Sequence, residues 1–427
     1  MISVLWKISL LFYCKYATIN FKNFKCFKNQ TTLDMTATSI TEHPYNLIDV
    51  NDVEKYIKVA AIYGANASGK SSVIQAFNFM ALWISESFRT ATKTDIIPLK
   101  RFALDTKSKN EPSEFEVFFK FKNQEYQYGF TLDNNKIHEE WLYIKKGNSK
   151  DKYIPLFERR GADIECDSKL LKGANNFIPM LEDKTLFLSI ISNAKIPYSK
   201  DVVEWFIITI VIDYGDIQFE TMLTKMHSPL IESETYQKDL VIFLRAIDIS
   251  IEGIIVEKDK DESANGFKYK IYTKHLMEDG KKYYKMPLSE ESSGTQKMFV
   301  LFAYLQNAFK KGLPIFIDEL DSKLHPLLLR YILTMFHNET INKNGAQLIY
   351  ATHDNYTLSK DIFRRDQIWF VEKDKNAVSE LYSLAEYKLD DDKKVRKDAS
   401  YNKDYLLGKY GAVPILRGYD MWRPEDD

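Results

Sequence analysis

Residues 64–71, GANASGKS, carry the clearest chemical signal in this chain of 427 residues. They fit the pattern GxxxxGK[ST], in which a glycine-rich turn leads into a helix and its backbone amides surround phosphate oxygens. Lys70 of this pattern brings a positive charge to the β- and γ-phosphates, and the Ser71 hydroxyl can bind Mg²⁺. The apolar run KVAAIYG precedes the pattern and a helical pattern follows it, as the motif requires. The residues predicted to bind the nucleotide are Gly64, Asn66, Ala67, Ser68, Gly69, Lys70, Ser71 and Ser72.

A second candidate segment, residues 313–319, is an apolar strand that ends in Asp318 and Glu319. We expect Asp318 to hold Mg²⁺ together with Ser71, and Glu319 to orient and deprotonate the attacking water. Buried strands often end in acidic residues that only face solvent, so this segment alone leaves both interpretations open. Beside the phosphate-binding pattern it predicts hydrolysis of ATP, with ATP and Mg²⁺ as the cofactors.

Another apolar run, LIYAT, ends in His353. A histidine at this strand end can hydrogen-bond a γ-phosphate, so His353 joins Glu319 and Lys70 as a predicted catalytic residue. The alternative is a histidine that only closes the strand. The other six histidines form no HExxH or HxH pair, which argues against a zinc site.

Ser293, Gly294 and Thr295 open a helical pattern, MFVLFAYLQNAF. Hydroxyls and free amides at a helix start form an anion-binding arrangement, which makes these three residues candidates for nucleotide contact. The alternative is an ordinary helix cap with Ser293 as the capping residue.

Composition limits the classes of protein that remain. Lys and Arg total 59 against 60 Asp and Glu, a net charge of -1, so any contact with DNA must be local. The chain is 45% hydrophobic and 14% aromatic, as globular proteins are. Three cysteines without a CxxC pair exclude a disulfide framework and favour a reducing cytoplasm. No run reaches the ~20 apolar residues of a spanning helix, so we expect no membrane domain.

The elements that position these residues alternate between strands and helices, which predicts an α/β fold with a mostly parallel sheet. Helices are expected at 294–310 and 326–336, and an antiparallel meander at 114–146. The absence of sustained heptads argues against a long coiled-coil arm. The predicted organisation is an N-terminal extension without assigned role (1–16), an N-terminal lobe (17–165), an inserted, mainly helical subdomain (166–255) and a C-terminal lobe (256–427).

In their order along the chain these segments resemble the ABC-type ATPases of the SMC and RecF branch. The resemblance implies a P-loop ATPase head assembled from N- and C-terminal segments, with a β lobe and an inserted helical subdomain. Thr295 stands where that family has a second signature glycine, and no Q-loop glutamine is assigned, since Gln75 lies within the predicted P-loop helix. Both departures bear on the rate of hydrolysis more than on nucleotide binding. The matching segments are Asn23-Phe24-Lys25-Cys26-Phe27, residues 64–71, Ser293-Gly294-Thr295-Gln296-Lys297, Asp318-Glu319, Leu320-Asp321 and His353.

The resemblance also implies a homodimer, or a higher even oligomer, that closes head to tail around two ATP molecules. Each site would take the P-loop and the acidic strand end from one copy and Ser293, Gly294 and Thr295 from the other.

The C-terminal region is similar to that of small single-chain ATPases of bacterial phage-defence and abortive-infection systems, which implies an antiviral role. Only 74 residues follow His353, too few for a Toprim nuclease domain, so we expect a separate effector, either a nuclease or a toxin. The alternative is a RecF-like ATPase of DNA repair or maintenance. Aromatic and basic residues alternate at 21–28, which suits single-stranded DNA but also a strand and turn with inward phenylalanines. The basic run 393–397 is either a solvated loop or a docking surface for the effector.

Overall fold

The structure, a computed structural model, describes residues 14–49, 54–90, 96–146, 152–214, 230–246, 250–261, 266–389 and 393–414. Its strands are β1 (Cys14–Lys22), β2 (Thr31–Asp34), β3 (Leu47–Asp49), β4 (Lys55–Ile57), β5 (Val59–Gly64), β6 (Ser113–Phe121), β7 (Gln124–Leu132), β8 (Ile137–Lys146), β9 (Ile154–Arg160), β10 (Asp163–Cys166), β11 (Ile210–Asp213), β12 (Ile251–Asp261), β13 (Gly266–Leu276), β14 (Tyr283–Pro287), β15 (Pro314–Asp318), β16 (Gln347–Ala351), β17 (Ile368–Lys373) and β18 (Ser379–Ser383). Its helices are α1 (Lys70–Thr90), α2 (Phe187–Asn193), α3 (Ser199–Ile208), α4 (Glu234–Leu244), α5 (Ser293–Lys311), α6 (Pro326–His337) and α7 (Tyr401–Leu406).

Strand β5, which leads into the predicted phosphate-binding loop, lies inside a six-stranded sheet with the order β11-β15-β16-β5-β17-β18. All neighbouring strands of this sheet run parallel except β17 and β18. β5, β15 and β16 are buried along their whole length, which explains their unbroken apolar sequences. Because these strands are parallel, their carboxyl ends meet at one edge, where ligands bind in open α/β sheets.

A second sheet of seven antiparallel strands has the order β10-β9-β8-β7-β6-β1-β2. It contains the predicted meander, since β6, β7 and β8 pair in sequence. Strand β1 starts at Cys14, three residues before the expected start of the fold. Tyr16 is completely buried in this strand, so residues 14–16 belong to the core and not to an extension. Residues 1–13 lie outside the described residues.

Helix α1 lies between the two sheets and presents apolar residues at helical spacing to them. Val73, Phe77, Met80 and Ile84 are all buried. The ring of Phe77 stacks on Phe316 of β15, with ring centroids 4.3 Å apart. This packing fixes the helix that follows the phosphate-binding loop against the strand that carries Asp318.

The described part of residues 166–255 contains helices α2, α3 and α4. They also include β11, which pairs parallel with β15 and forms one edge of the six-stranded sheet. The sequence does not separate this strand from helix α3 because WFIITIVI is one continuous apolar run. The domain boundaries given above stay a prediction.

A third sheet, β12-β13-β14, precedes helix α5. The predicted helices at 294–310 and 326–336 are present as α5 and α6. Among the described residues, no helix combines the length and the apolar character that crossing a membrane requires.

Candidate functional site

The loop between β5 and α1 is shaped by close backbone approaches that only glycine allows. A Cβ atom on Gly64 would lie 2.4 Å from the carbonyl oxygen of Val371. Gly69 has φ +121°, and a Cβ atom there would lie 2.6 Å from Cys26 Sγ. Helix α1 begins at Lys70, directly behind this loop. The local sequence therefore forms the strand, tight loop and helix N-terminus that a phosphate site needs.

Lys70 is held against the loop that it follows. Its Nζ donates hydrogen bonds to the carbonyl oxygens of Gly64 (2.9 Å) and Ala65 (3.0 Å). Burial lowers the pKa of Lys70 to about 8, although nearby carboxylates, first that of Asp318, act in the opposite direction. A triphosphate in the loop would supply negative charge to this poorly solvated ammonium group and stabilise its protonated form.

Ser71 and Asp318 meet across the same cleft. Burial raises the pKa of Asp318 to about 6; the charges of Asp213 and Glu319 add to the rise, and the nearby Ser71 hydroxyl acts in the opposite direction. No group of three or more His, Cys, Asp or Glu side chains able to hold a metal occurs in the described part of the chain. A hydroxyl and a carboxylate suit Mg²⁺, which binds few protein oxygens and takes its other ligands from phosphates and water.

Glu319 follows Asp318 in a left-handed conformation, with φ 53°. This conformation costs a non-glycine residue roughly 1–2 kcal/mol, so surrounding contacts must maintain it. The Glu319 backbone N–H lies 3.1 Å from Asp318 Oδ1, and the Glu319 carbonyl oxygen accepts a hydrogen bond from Lys297 Nζ at 3.0 Å. The turn directs the chain out of the sheet edge at the point where hydrolysis would occur.

His353 lies just beyond β16 and lines the same cleft as Lys70 and Glu319. Its backbone N–H donates to Asp321 Oδ2 at 3.1 Å. Burial and the charge of Lys70 lower the pKa of His353. The imidazole is therefore neutral at pH 7 and can donate one N–H to a phosphate oxygen.

The predicted helix cap at the start of α5 is wrong by one residue. Ser292, not Ser293, is the capping residue, and its Oγ accepts a hydrogen bond from the Thr295 N–H at 3.1 Å. The Thr295 side chain is buried and its hydroxyl lies 2.8 Å from Ser292 Oγ. Of the three predicted signature residues, Thr295 thus uses both its N–H and its hydroxyl in the cap with Ser292. Ser293 is exposed and Gly294 is half-buried.

The cleft has a volume of about 470 Å³ and brings together most of the predicted site residues. Ser293, Gly294 and Thr295 do not line it in the single chain. Their contact with a nucleotide, which would come from a second copy, stays a prediction. The lining residues are Lys25, Cys26, Asn66, Ala67, Gly69, Lys70, Ser71, Ser72, Asp318, Glu319, Ala351, Thr352, His353 and Lys373.

The sequence analysis did not name several residues at or near this cleft as nucleotide-site residues; they are Lys25, Cys26, Asp213, Ala351, Thr352 and Lys373. Asp213 ends β11 directly opposite Asp318, and its charge contributes to the raised pKa of Asp318. Lys25 and Cys26 come from the turn after β1, where Lys25 Nζ hydrogen-bonds Gln75. Asp213 is an acidic residue after an apolar run, as Asp318 is, but that run, WFIITIVI, does not show where helix α3 ends and β11 begins. Phe24, in the turn that holds Lys25, is buried as the inward alternative predicts.

One protein family matches most of the chain, including the segments that form this cleft between residues 59 and 359. The family described as "AAA domain, putative AbiEii toxin, Type IV TA system" matches residues 59–359, from the start of β5 to beyond His353. No curated protein matches the chain.

Two solved structures are similar to this chain at low sequence identity. The first is titled "Crystal structure of the SmcHead bound to the C-winged helix domain of ScpA", with 12% identity, TM-score 0.41 and coverage of 86% of this chain and 97% of that one. The second is titled "Structure of the recombination mediator protein RecF-ATPrS in RecFOR pathway", with 15% identity, TM-score 0.36 and coverage of 87% and 98%. With residues 59–359 matched, the chain belongs to the AAA-domain family named above.

Proposed function

We propose that this chain binds and hydrolyses ATP with Mg²⁺, that two copies close around two nucleotides, and that closure controls a separate effector in antiviral defence. One observation carries the enzymatic part. Lys70 and Ser71 come from the start of α1, and Asp318, Glu319 and His353 from the ends of two parallel strands, β15 and β16, yet all five line one cleft at the carboxyl edge of the sheet.

The roles of these side chains follow from their positions. The loop amides and Lys70 hold the β- and γ-phosphates, and Ser71 with Asp318 would hold Mg²⁺, which supplies positive charge to the same oxygens. Glu319 orients the attacking water and accepts its proton, while neutral His353 donates its N–H toward the γ-phosphate. The products are ADP and phosphate.

Sharing of sites between two copies explains why the signature segment and the cleft are separate in one chain. Ser293 is exposed at the start of α5, outside the lining of the chain's own cleft. Its hydroxyl and the helix start can therefore meet the γ-phosphate bound by a second copy. Nucleotide would then join the two copies, and hydrolysis would release them.

The family description supports the defence part of the proposal, because it names a toxin and a toxin–antitoxin system. We place ATP-driven closure upstream of a nuclease or toxin encoded by another gene. The chain would hold that effector inactive or release it, depending on whether the two copies are closed.

Infection of cells tests the defence proposal directly. Cells that express the chain with its neighbouring genes should give fewer phage plaques than cells without it. Lys70→Ala should abolish the protection because the cleft loses its phosphate-binding charge. Lys310→Met, which removes an exposed lysine from the end of α5, should retain it. Equal plaque counts with the wild-type genes and with no genes would contradict the proposal.

A RecF-like role on DNA is a second candidate, favoured by the outer face of the β12-β13-β14 sheet. Residues 266–287 contain six lysines and two acidic residues, whereas β12 adds four acidic residues to the same sheet, and its Glu257 forms an ion pair with Lys285. Lys274 pairs with Lys285 across β13 and β14, so both side chains point to one face. Tyr283 and Tyr284, in the same hairpin, are each about half exposed. Lysines beside exposed aromatic rings suit the phosphates and bases of a single strand.

Binding of a fluorescent single-stranded oligonucleotide at several salt concentrations tests this candidate. Lys274→Gln combined with Lys285→Gln should weaken binding and reduce the slope of log affinity against log salt by about 0.7 per lost phosphate contact. Lys169→Gln combined with Lys172→Gln removes two exposed lysines elsewhere and should leave binding unchanged. An unchanged slope in the first variant would exclude this face as the nucleic-acid site.

A further inference from the structure

The ammonium group of Lys297 is the centre of a small buried cluster behind the hydrolytic site. Its Nζ donates hydrogen bonds to three backbone carbonyl oxygens, those of Glu319 (3.0 Å), Leu320 (2.9 Å) and Ser322 (2.8 Å). The residue is only 3% exposed. An ammonium group has three N–H donors, so one turn of backbone satisfies all of them.

The other side of the same ammonium group faces Tyr214. Nζ lies 3.9 Å from the centroid of the Tyr214 ring, close enough for a cation–π interaction. Tyr214 follows β11, and its backbone N–H is directed at the carbonyl oxygen of Asp318. Lys297 thus connects helix α5 to the turn after β15 and to the end of β11, which are the elements that carry Glu319 and Asp213.

The turn held by Lys297 contains the strained residue of the site. Glu319 has a positive φ, and the Ser322 N–H closes the turn on the Glu319 carbonyl oxygen at 3.0 Å. Three carbonyl oxygens can point at one cation only if the backbone curls around it. Removing the cation would take the Lys297 donor from all three carbonyls and leave only that of Glu319 with a second donor, the Ser322 N–H, so the turn would lose most of what holds it in its strained conformation.

The helix that carries Lys297 also carries the signature segment. Gly294 lies one turn before Lys297, and a Cβ atom on it would lie 3.1 Å from the carbonyl oxygen of Lys323. The start of α5 therefore packs on the end of the turn whose beginning contains Glu319. Because protein interiors are close-packed, a shift of the start of α5 must displace the turn after β15, and a shift of that turn must displace the start of α5.

We infer that Lys297 is a positioning residue for hydrolysis. Its ammonium group holds Glu319 of the same chain in its left-handed conformation and so places the Glu319 carboxylate where it can activate the attacking water. The inference rests on the proposed ATPase function and adds a residue that touches neither nucleotide nor water. In a dimer with two shared sites, Lys297 acts on the site built around the P-loop of its own chain and not on the site that its signature segment completes.

Steady-state kinetics give the first test. Lys297→Met keeps the length of the side chain and removes the three donors, and Lys297→Gln keeps part of the donor capacity. We expect kcat to fall about tenfold to hundredfold in the Met variant, as small misplacements of catalytic groups do, and less in the Gln variant. KM should change little because the P-loop is untouched. Lys310→Met on the same helix is the matched control. A folded Lys297→Met chain with the wild-type kcat would overturn the inference, and if that chain does not fold, wild-type kcat in Lys297→Gln would do so.

Mixed chains test the direction. In a mixture of Gly294→Asp and Lys70→Ala chains, the one complete site takes its P-loop and Glu319 from the first chain and its signature segment from the second. Lys297→Met added to the Gly294→Asp chain should abolish most of the recovered activity, whereas the same change in the Lys70→Ala chain should leave it. The reverse result would show that Lys297 serves the signature segment and would overturn the inference. If the parent mixture has no activity, the shared-site proposal fails, and the kinetics of the single variants still decide the role of Lys297.

Discussion

Glu319→Gln is expected to lower ATP turnover by about two to four orders of magnitude, because it removes the base that accepts the proton of the attacking water. Nucleotide binding should survive, since the loop, Lys70, Ser71 and Asp318 are unchanged. The amide is nearly isosteric with the carboxylate, so the left-handed turn held by Lys297 should also be kept. The variant therefore separates binding of ATP from its hydrolysis.

The same variant should accumulate as a closed dimer. Light scattering of the Glu319→Gln chain with and without Mg²⁺ and ATP measures this, and the larger species should appear only with nucleotide. Glu386→Gln, at an exposed glutamate, is the control and should hydrolyse ATP at the wild-type rate. Wild-type turnover in Glu319→Gln would remove Glu319 from the mechanism.

Patterns that are local in the sequence predicted the central features of this site. The segment 64–71 contains its strand, loop and helix in one stretch, so its structure follows from nearest neighbours along the chain. The acidic end of β15 and the histidine after β16 were likewise predictable, because parallel strands place their carboxyl ends at one edge.

Features that depend on packing between distant segments were not predictable in the same way. The hydrogen bonds from Lys297 form only because a turn that begins 22 residues later directs its carbonyl oxygens toward the ammonium group. Asp213 comes close to Asp318 only because β11 pairs with β15, and the sequence hides β11 in a longer apolar run. The sequence could not show that Ser292 and not Ser293 caps α5, because the two neighbouring serines are chemically equivalent. Backbone geometry decides which of them is the cap.

The net charge of the sequence likewise could not predict how charges are distributed over the surface. A net charge of -1 describes the chain as a whole and gave no sign of a basic surface. The structure places Lys274 and Lys285 on one face of the small sheet, where Lys285 is also paired with Glu257.

The second large effect concerns two variants that should each be inactive. Lys70→Ala should lose ATP binding, measured with labelled nucleotide at equilibrium, because it removes the ammonium group that the phosphate-binding loop holds for the β- and γ-phosphates. Gly294→Asp should bind ATP normally but should not close, since its carboxylate would lie against the γ-phosphate of the other copy at a partly desolvated site. Gly294→Ala is the matched control: it introduces the same Cβ atom beside the Lys323 carbonyl oxygen without the charge. Its activity should therefore exceed that of Gly294→Asp clearly.

Mixing these two inactive chains is the most direct test of shared sites. A mixed dimer combines the intact P-loop and Glu319 of the Gly294→Asp chain with the intact signature segment of the Lys70→Ala chain, which rebuilds one complete site of the two. ATPase activity measured against the ratio of the two chains should be absent at either end and should peak near equal amounts. Activity that stays absent at every ratio, while differently tagged chains are shown to form mixed dimers, would contradict the head-to-tail mechanism.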